Sequence, residues 1–397
     1  MVLASCLIIL ATLYGIRYSF GVFFKSLETE FGWTRATIST PFSLYIILAP
    51  LFAILGGWAS DKHGPKPVAF IMGIISGLSL FLTRHVESVG QLYISYSFLL
   101  ALGTGPTYTL VMSTGSRWFI KYRATALGII GTGASLGTVV IAPVTAWLIS
   151  LYDWYIACSQ IGIIASLLVL PSALMLKKDP KEIGIQPDGK QTSFTSSVER
   201  LKDTRDFSLR EALKSRNFWL FFLIWFSYSF CLHMVMSHVI PRIEDLGISP
   251  LKAAAVLSVL SGISIPSRVL IGRMADRLNK RIVTIFLALL HTVAMFWLIG
   301  CTQMWMFYLF SLAYGLAYGG IDPPITALIA ETFELGKVGT IMGTLVLGWG
   351  FGAAISPYMS GVIFDLAGSY QPAFLCGGLI MILAAICVYR LKTPQKG

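Results

Sequence analysis

Arg268 lies in an apolar run, four residues before Gly272. A cation at the centre of a bilayer costs at least about 2.5–3.5 kcal/mol on insertion scales, so a chain that keeps one there has a use for it. The planar guanidinium grips a carboxylate through two parallel hydrogen bonds, which suits an anion site of reduced dielectric. The plain alternative is a side chain that snorkels to the nearby surface. A second arginine, Arg17, also stands in an apolar run, beside Tyr18, and either meets an anion or pairs toward the outer surface. Groups able to carry a proton in such runs are His233, His238 and Asp322. Imidazole titrates nearest neutral pH, although a packed, hydrogen-bonded histidine is the commoner case. Asp322, directly before Pro323 and Pro324, equally suits a broken helix. Tyr108 in GTGPTY and Tyr318 in YGLAYGG set phenols, which donate to carboxylates, among small residues that let helices pack closely and hinge. Ser264, one helical turn before Arg268, and Trp349 complete the side chains expected at a ligand.

The elements that carry these residues follow from composition. The 397 residues are 55% hydrophobic and 12% charged, with a mean hydropathy of +0.74, whereas a soluble domain holds about 25% charged residues. Apolar runs long enough to cross a bilayer as helices recur along the chain. They predict twelve spans: 2–24, 33–57, 67–86, 91–116, 123–150 and 154–176, then 217–240, 250–272, 281–301, 304–330, 337–365 and 370–390. Residues 177–216, with ten Lys/Arg and seven Asp/Glu, read as a polar linker with a short amphipathic helix around Leu209–Leu213. The expected organisation is therefore a six-helix bundle over 1–176, a cytoplasmic linker over 177–216 and a second six-helix bundle over 217–397. With the linker inside, 23 of the 30 Lys/Arg fall on the cytoplasmic side and five outside, so the positive-inside rule places both termini in the cytoplasm of a multi-pass protein of the cell (inner or plasma) membrane. The net charge of +11 then faces anionic lipid headgroups and requires no nucleic acid.

The two halves repeat. Gly57, Asp61, Lys66, Gly128 and Gly137 recur as Gly272, Asp276, Arg281, Gly343 and Gly352, every pair at one constant offset along the chain. Such duplication is the mark of carriers whose two bundles rock about a central site. Enzyme signatures are missing: there is no phosphate-binding GxxxxGK[ST] loop, no HExxH and no zinc-spaced Cys/His cluster, so no enzyme activity, cofactor or metal is expected. The six cysteines all fall in apolar runs and read as small core residues.

The segment GGWASDKHGPKPV (Gly56 to Val68), placed between helices 2 and 3, and GRMADRLNKRIV (Gly272 to Val283), placed between helices 8 and 9, resemble the loop signature of the major facilitator superfamily. In it, glycine permits close helix contact, the aspartate meets a cation or a helix terminus, and the basic residues face the cytoplasm. As a gating latch this assigns Gly57, Asp61, Lys62 and Lys66 in the first half, and Gly272, Asp276, Arg277 and Arg281 in the second. Within that superfamily, RYSFGVFFKSLETEFGW (Arg17 to Trp33), WFIKYRATALGIIGTGASLG (Trp118 to Gly137) and SIPSRVLIGRMADR (Ser264 to Arg277) are similar to the monocarboxylate transporters and oxalate:formate antiporters. The resemblance implies an all-α major facilitator fold and transport of lactate-like or pyruvate-like monocarboxylates, with an arginine at position 268 as substrate anchor.

Two departures qualify what the resemblance implies. The animal carriers have a functional lysine near position 18, where this chain has Tyr18, so either Arg17 supplies the cation or Tyr18 contributes only a hydrogen bond. They have an aspartate at the place of Ser264, so a proton acceptor must lie elsewhere, at His238, His233, Asp322 or the bound carboxylate itself. Oxalate carriers add a lysine on helix 11; here none occurs between Lys337 and Lys392, which favours a monoanion unless Arg17 restores the second charge. The expectation is a monomeric secondary carrier that binds a small monocarboxylate and a proton within the lipid bilayer and works by alternating access. The alternatives are an oxalate:formate-type antiporter and, in another class, a non-transporting membrane sensor, which would call for an added signalling domain.

Overall fold

A computed structural model of the chain describes residues 1–33, 35–184, 186–187, 208–333 and 337–391. Helices account for nearly all of it, as they must where no water is at hand to satisfy backbone groups. The first half holds α1 (Val2–Tyr18), α2 (Phe20–Phe31), α3 (Arg35–His63), α4 (Pro65–Thr83), α5 (Val89–Leu92), α6 (Ala101–Thr104), α7 (Thr107–Trp118), α8 (Arg123–Leu151) and α9 (Trp154–Leu174). The second holds α10 (Leu209–Lys214), α11 (Arg216–Glu244), α12 (Pro250–Arg277), α13 (Lys280–Ile299), α14 (Met304–Thr332), α15 (Val338–Ala367) and α16 (Gln371–Tyr389). Ten of these helices are long and apolar enough to cross a membrane. The first crossing is α1 followed by α2, and the fourth is α5 to α7, so the twelve expected spans are accounted for.

The breaks have local causes. Gly64 adopts φ 87°, a left-handed value open to glycine at no steric cost, and Pro65 then starts α4 where its missing N–H is harmless. The fourth crossing is divided because Tyr93–Leu100 winds as a π-helix and the Gly105–Pro106 pair then interrupts the ladder before Tyr108. Ser208 and Glu211 form a reciprocal capping box that starts α10, the short helix expected in the linker. The rest of that linker, 185 and 188–207, lies outside the described residues. Two expectations are corrected. The helix expected over 2–24 is not unbroken: α1 ends at Tyr18 and, after Ser19, α2 carries the crossing on to Phe31. The signature segments do not lie between helices: Gly57 and Asp61 belong to the last turns of α3, and Gly272, Asp276 and Arg277 to those of α12.

The chain packs as two units, each containing a short piece from the other half of the sequence. Unit 1 is Met1–Lys121, Ile129–Phe207 and Phe333–Thr344; unit 2 is Tyr122–Gly128, Ser208–Thr332 and Leu345–Gly397. Glycines make the helix contacts inside both. In unit 1, a Cβ on Gly133 would strike the Leu7 carbonyl, and one on Gly137 the Ala11 carbonyl. In unit 2, Gly348 sits in the same way on Phe222 and Gly352 on Phe226. Glycines and partners are all displaced by the offset that relates the two halves, so the duplication read from sequence is a duplication of contacts.

Candidate functional site

In unit 2, α14 packs on α12 along Gly315, Gly319 and Gly320. A Cβ on Gly319 would collide with the backbone of Ser264, and the Ser267 hydroxyl donates to the Leu316 carbonyl at 2.6 Å. That close approach brings Arg268 of α12 to Asp322 of α14: Nη1 donates to Oδ2 at 3.1 Å, with side-chain exposures of 6% and 12%. The Tyr318 ring lies under the guanidinium, 5.4 Å from ring centroid to Cζ. Arg268 thus already holds a carboxylate of its own protein, and it neither snorkels nor stands bare in an open vestibule. Asp322 sits within a continuous α14, so its two prolines do not break that helix.

Around this pair stand aromatic groups. The Tyr228 hydroxyl on α11 donates to the Tyr318 carbonyl at 2.8 Å, and its ring meets Trp349 of α15 edge-on at 5.2 Å. Trp349 also packs on His233 at 5.7 Å. His233 Nδ1 lies 2.9 Å from the Ser229 carbonyl one turn back, and the Ser229 hydroxyl donates to the Trp349 carbonyl at 2.7 Å. Arg268, Asp322, Tyr318, Trp349 and His233 therefore belong to one neighbourhood, which Tyr228 joins together. Nothing but its place in an apolar helix marked Tyr228 in the sequence. Ser264, fully buried, commits its hydroxyl proton to the Ser261 carbonyl at 2.8 Å. His238 stands apart near the other end of α11, with Nε2 3.0 Å from the Pro357 carbonyl and its ring 5.0 Å from Tyr370.

Unit 1 holds the second cation. The Arg17 guanidinium lies between the rings of Tyr14, Tyr18 and Tyr45, at 5.4, 5.4 and 5.5 Å. Among the described residues no carboxylate lies within ion-pair distance of it. Tyr18 is the exposed wall of this cage, while the Tyr45 hydroxyl is engaged with that of Thr104 at 2.7 Å. Tyr108, on α7, is half-buried in the same unit.

The signature aspartates form a matched pair. Asp61 accepts from Gly339 N at 3.1 Å and from Thr340 N and Oγ1 at 2.7 Å each, the first turn of α15. Asp276 accepts from Ala124 N at 2.8 Å, Thr125 N at 2.7 Å and Thr125 Oγ1 at 2.6 Å, the first turn of α8. A carboxylate there satisfies orphan amides and meets the positive end of the helix dipole. Gly57 and Gly272 allow the approach, because a Cβ on either would strike the carbonyl of Gly339 or Ala124. The copies differ in their cations: Arg117 pairs with Asp61 at 2.5 Å, and both side chains are buried. On the other side Glu331, 3.0 Å from Lys280 and 3.8 Å from Arg123, takes the ion pairs. Lys62 lies over Trp58 at 5.0 Å, Arg281 donates to the Val388 carbonyl at 3.1 Å, and Lys66 and Arg277 are exposed. Sequence reading missed Arg117 because it ended that span at residue 116, which made the arginine a loop charge.

Comparison with known proteins agrees with this architecture. The sequence profile of the Major Facilitator Superfamily matches residues 6–319 and 271–397, and the chain belongs to that family. It is a multi-pass membrane transporter and not an enzyme. Relatives include "Monocarboxylate transporter 13" of Bos taurus, 25% identical over 96% of this chain and 86% of that protein. "Monocarboxylate transporter 12" of Rattus norvegicus is 25% identical over 100% of this chain and 86% of that protein. The fold matches that of a variant of the E. coli fucose:proton symporter, FucP, with a TM-score of 0.75, at 16% identity and 98% coverage of both chains.

Proposed function

We propose that the protein carries small monocarboxylates together with a proton, and that Arg268 and Asp322 couple the two. The observation that carries this reading is their ion pair, 3.1 Å long and almost wholly buried. With Asp322 ionised, Arg268 is neutralised from within, and a second carboxylate would leave the pair with a net negative charge in low dielectric, which is costly. A proton on Asp322 removes that charge. Arg268 then accepts the substrate carboxylate through its planar fork, with Tyr318 stacked beneath it. One anion and one proton travel together, so the loaded site is no more charged than the empty one. Each ligand raises the affinity for the other, as linkage requires.

Asp61 and Asp276 act as latches in this cycle: they hold the first turns of α15 and α8, and their release frees the helix starts that alternating access must move. The basic residues beside them face the cytoplasm. The test uses purified protein in liposomes and labelled lactate. Asp322→Asn is expected to abolish stimulation of uptake by an inward proton gradient while lactate exchange persists, and Arg268→Ala is expected to lose both. Gradient-driven accumulation that survives in Asp322→Asn sinks the coupling.

A second reading, exchange of organic anions, draws on Arg17. Its guanidinium has aromatic faces and no ion-paired carboxylate among the described residues, so it offers a positive charge to a counter-anion. Uptake that requires internal oxalate or formate and ignores the proton gradient favours that reading.

A further inference from the structure

His291 on α13 is fully buried, and neither ring nitrogen bonds to any protein group among the described residues. Its ring lies 4.2 Å from that of Tyr314, edge to face, and the Tyr314 hydroxyl, equally buried, is likewise without a protein partner among them. Three polar atoms side by side in a buried interior are not what packing alone selects; buried polar groups are bonded to protein or to internal water. The Tyr228 ring stands edge-on to His291 at 6.2 Å, and its hydroxyl reaches the Tyr318 carbonyl at 2.8 Å. Cys231, also from α11, commits its thiol to the Gly377 carbonyl of α16 at 3.1 Å. The rings packed on the imidazole are thus two phenols, and no carboxylate among the described residues pairs with it. A carboxylate substrate has nothing to hold it there.

Along α14, Tyr314, Tyr318 and Asp322 follow one another at intervals of four residues, which places them on one face of the helix about 6 Å apart per step. From these observations we infer that His291, Tyr314 and internal water form a proton path inside unit 2 that serves Asp322. A proton from bulk water adds to one imidazole nitrogen. The other nitrogen releases its proton to water or to the Tyr314 oxygen, which passes its own proton on along the α14 face to the Asp322 carboxylate. One proton enters, one leaves, and ring rotation resets the imidazole. The path meets the substrate site only at its inner end, where Tyr318 and Asp322 adjoin Arg268, so loss of His291 or Tyr314 would act on net proton movement.

This inference rests on the coupling role of Asp322, and the experiment separates the two. Labelled lactate is measured in liposomes in two modes: net uptake driven by an inward proton gradient, and exchange at equal pH, which needs no proton release. His291→Phe and Tyr314→Phe, the latter removing a single oxygen, are each expected to slow gradient-driven uptake at least about tenfold while exchange stays within about twofold of wild type. Gradient-driven uptake at the wild-type rate in both variants overturns the path, provided Asp322→Asn is insensitive to the gradient. An equal fall in both modes also overturns it, since that marks a packing role. If wild-type uptake itself ignores the gradient, the coupling fails first and the path falls with it.

Discussion

The two signature aspartates make the same three hydrogen bonds to a helix start, and Asp61 also pairs with the buried Arg117. Removing the charge of Asp61 therefore has an added consequence. Asp276→Asn weakens charge-assisted bonds to one helix start, at about 1.5–3 kcal/mol for a bond to a charged group. Asp61→Asn does the same and also removes the carboxylate that pairs with the buried Arg117, a further cost of up to about 3–5 kcal/mol in comparable cases. Thermal unfolding in detergent is expected to show the larger fall in Tm for Asp61→Asn; equal falls would contradict the difference between the two latches. The same reasoning applies to Arg268, whose partner Asp322 was in plain view in the sequence as a separate proton candidate. What sequence could not reveal was that the two are one group, because 54 residues and an intervening helix separate them.

Between helices, the site depends on α12 and α14 approaching closely enough for an arginine on one to reach an aspartate on the other. Gly319 sets that distance. A methyl group there meets the Ser264 backbone, so Gly319→Ala must push the helices apart, and overpacking of this kind costs about 1–3 kcal/mol. Gly262, on the same α12, has open space where its Cβ would stand, and alanine there gains about 1 kcal/mol of helix propensity. Gly319→Ala is expected to lower Tm and raise the lactate KM, with Gly262→Ala neutral or stabilising. A Gly319→Ala protein with unchanged Tm and KM would show that the contact does not position the pair. The YGLAYGG stretch signalled close packing in the sequence, but the residue it would touch emerged only with the fold.

For the protein as it sits in the bilayer, the distribution of basic residues makes a claim about sidedness. Glu87 and Gln303 are exposed in loops expected outside, and Lys121 in one expected inside. The native cysteines are a quiet background: five of the six are buried, and burial pushes the Cys301 thiol, in the loop after α13, up to about 12. Glu87→Cys and Gln303→Cys are expected to react with a membrane-impermeant maleimide in intact cells, and Lys121→Cys only after permeabilisation. The reverse pattern would invert the orientation and place the latches on the outer side.

The order of residues alone was enough for the twelve crossings, the duplication at one constant offset and the cations that a bilayer tolerates only for a reason. These are local or periodic signals: apolar length, a repeated glycine and aspartate, a charge where none is cheap. Which groups meet was left to folding. It paired Arg268 with Asp322, turned the Ser264 hydroxyl onto its own helix, set Asp61 and Asp276 on the starts of α15 and α8, and buried His291 beside Tyr314. Such contacts depend on helix rotation and close approach between residues distant in the chain, and hydropathy, which records only what lies along one helix, carries no information about either.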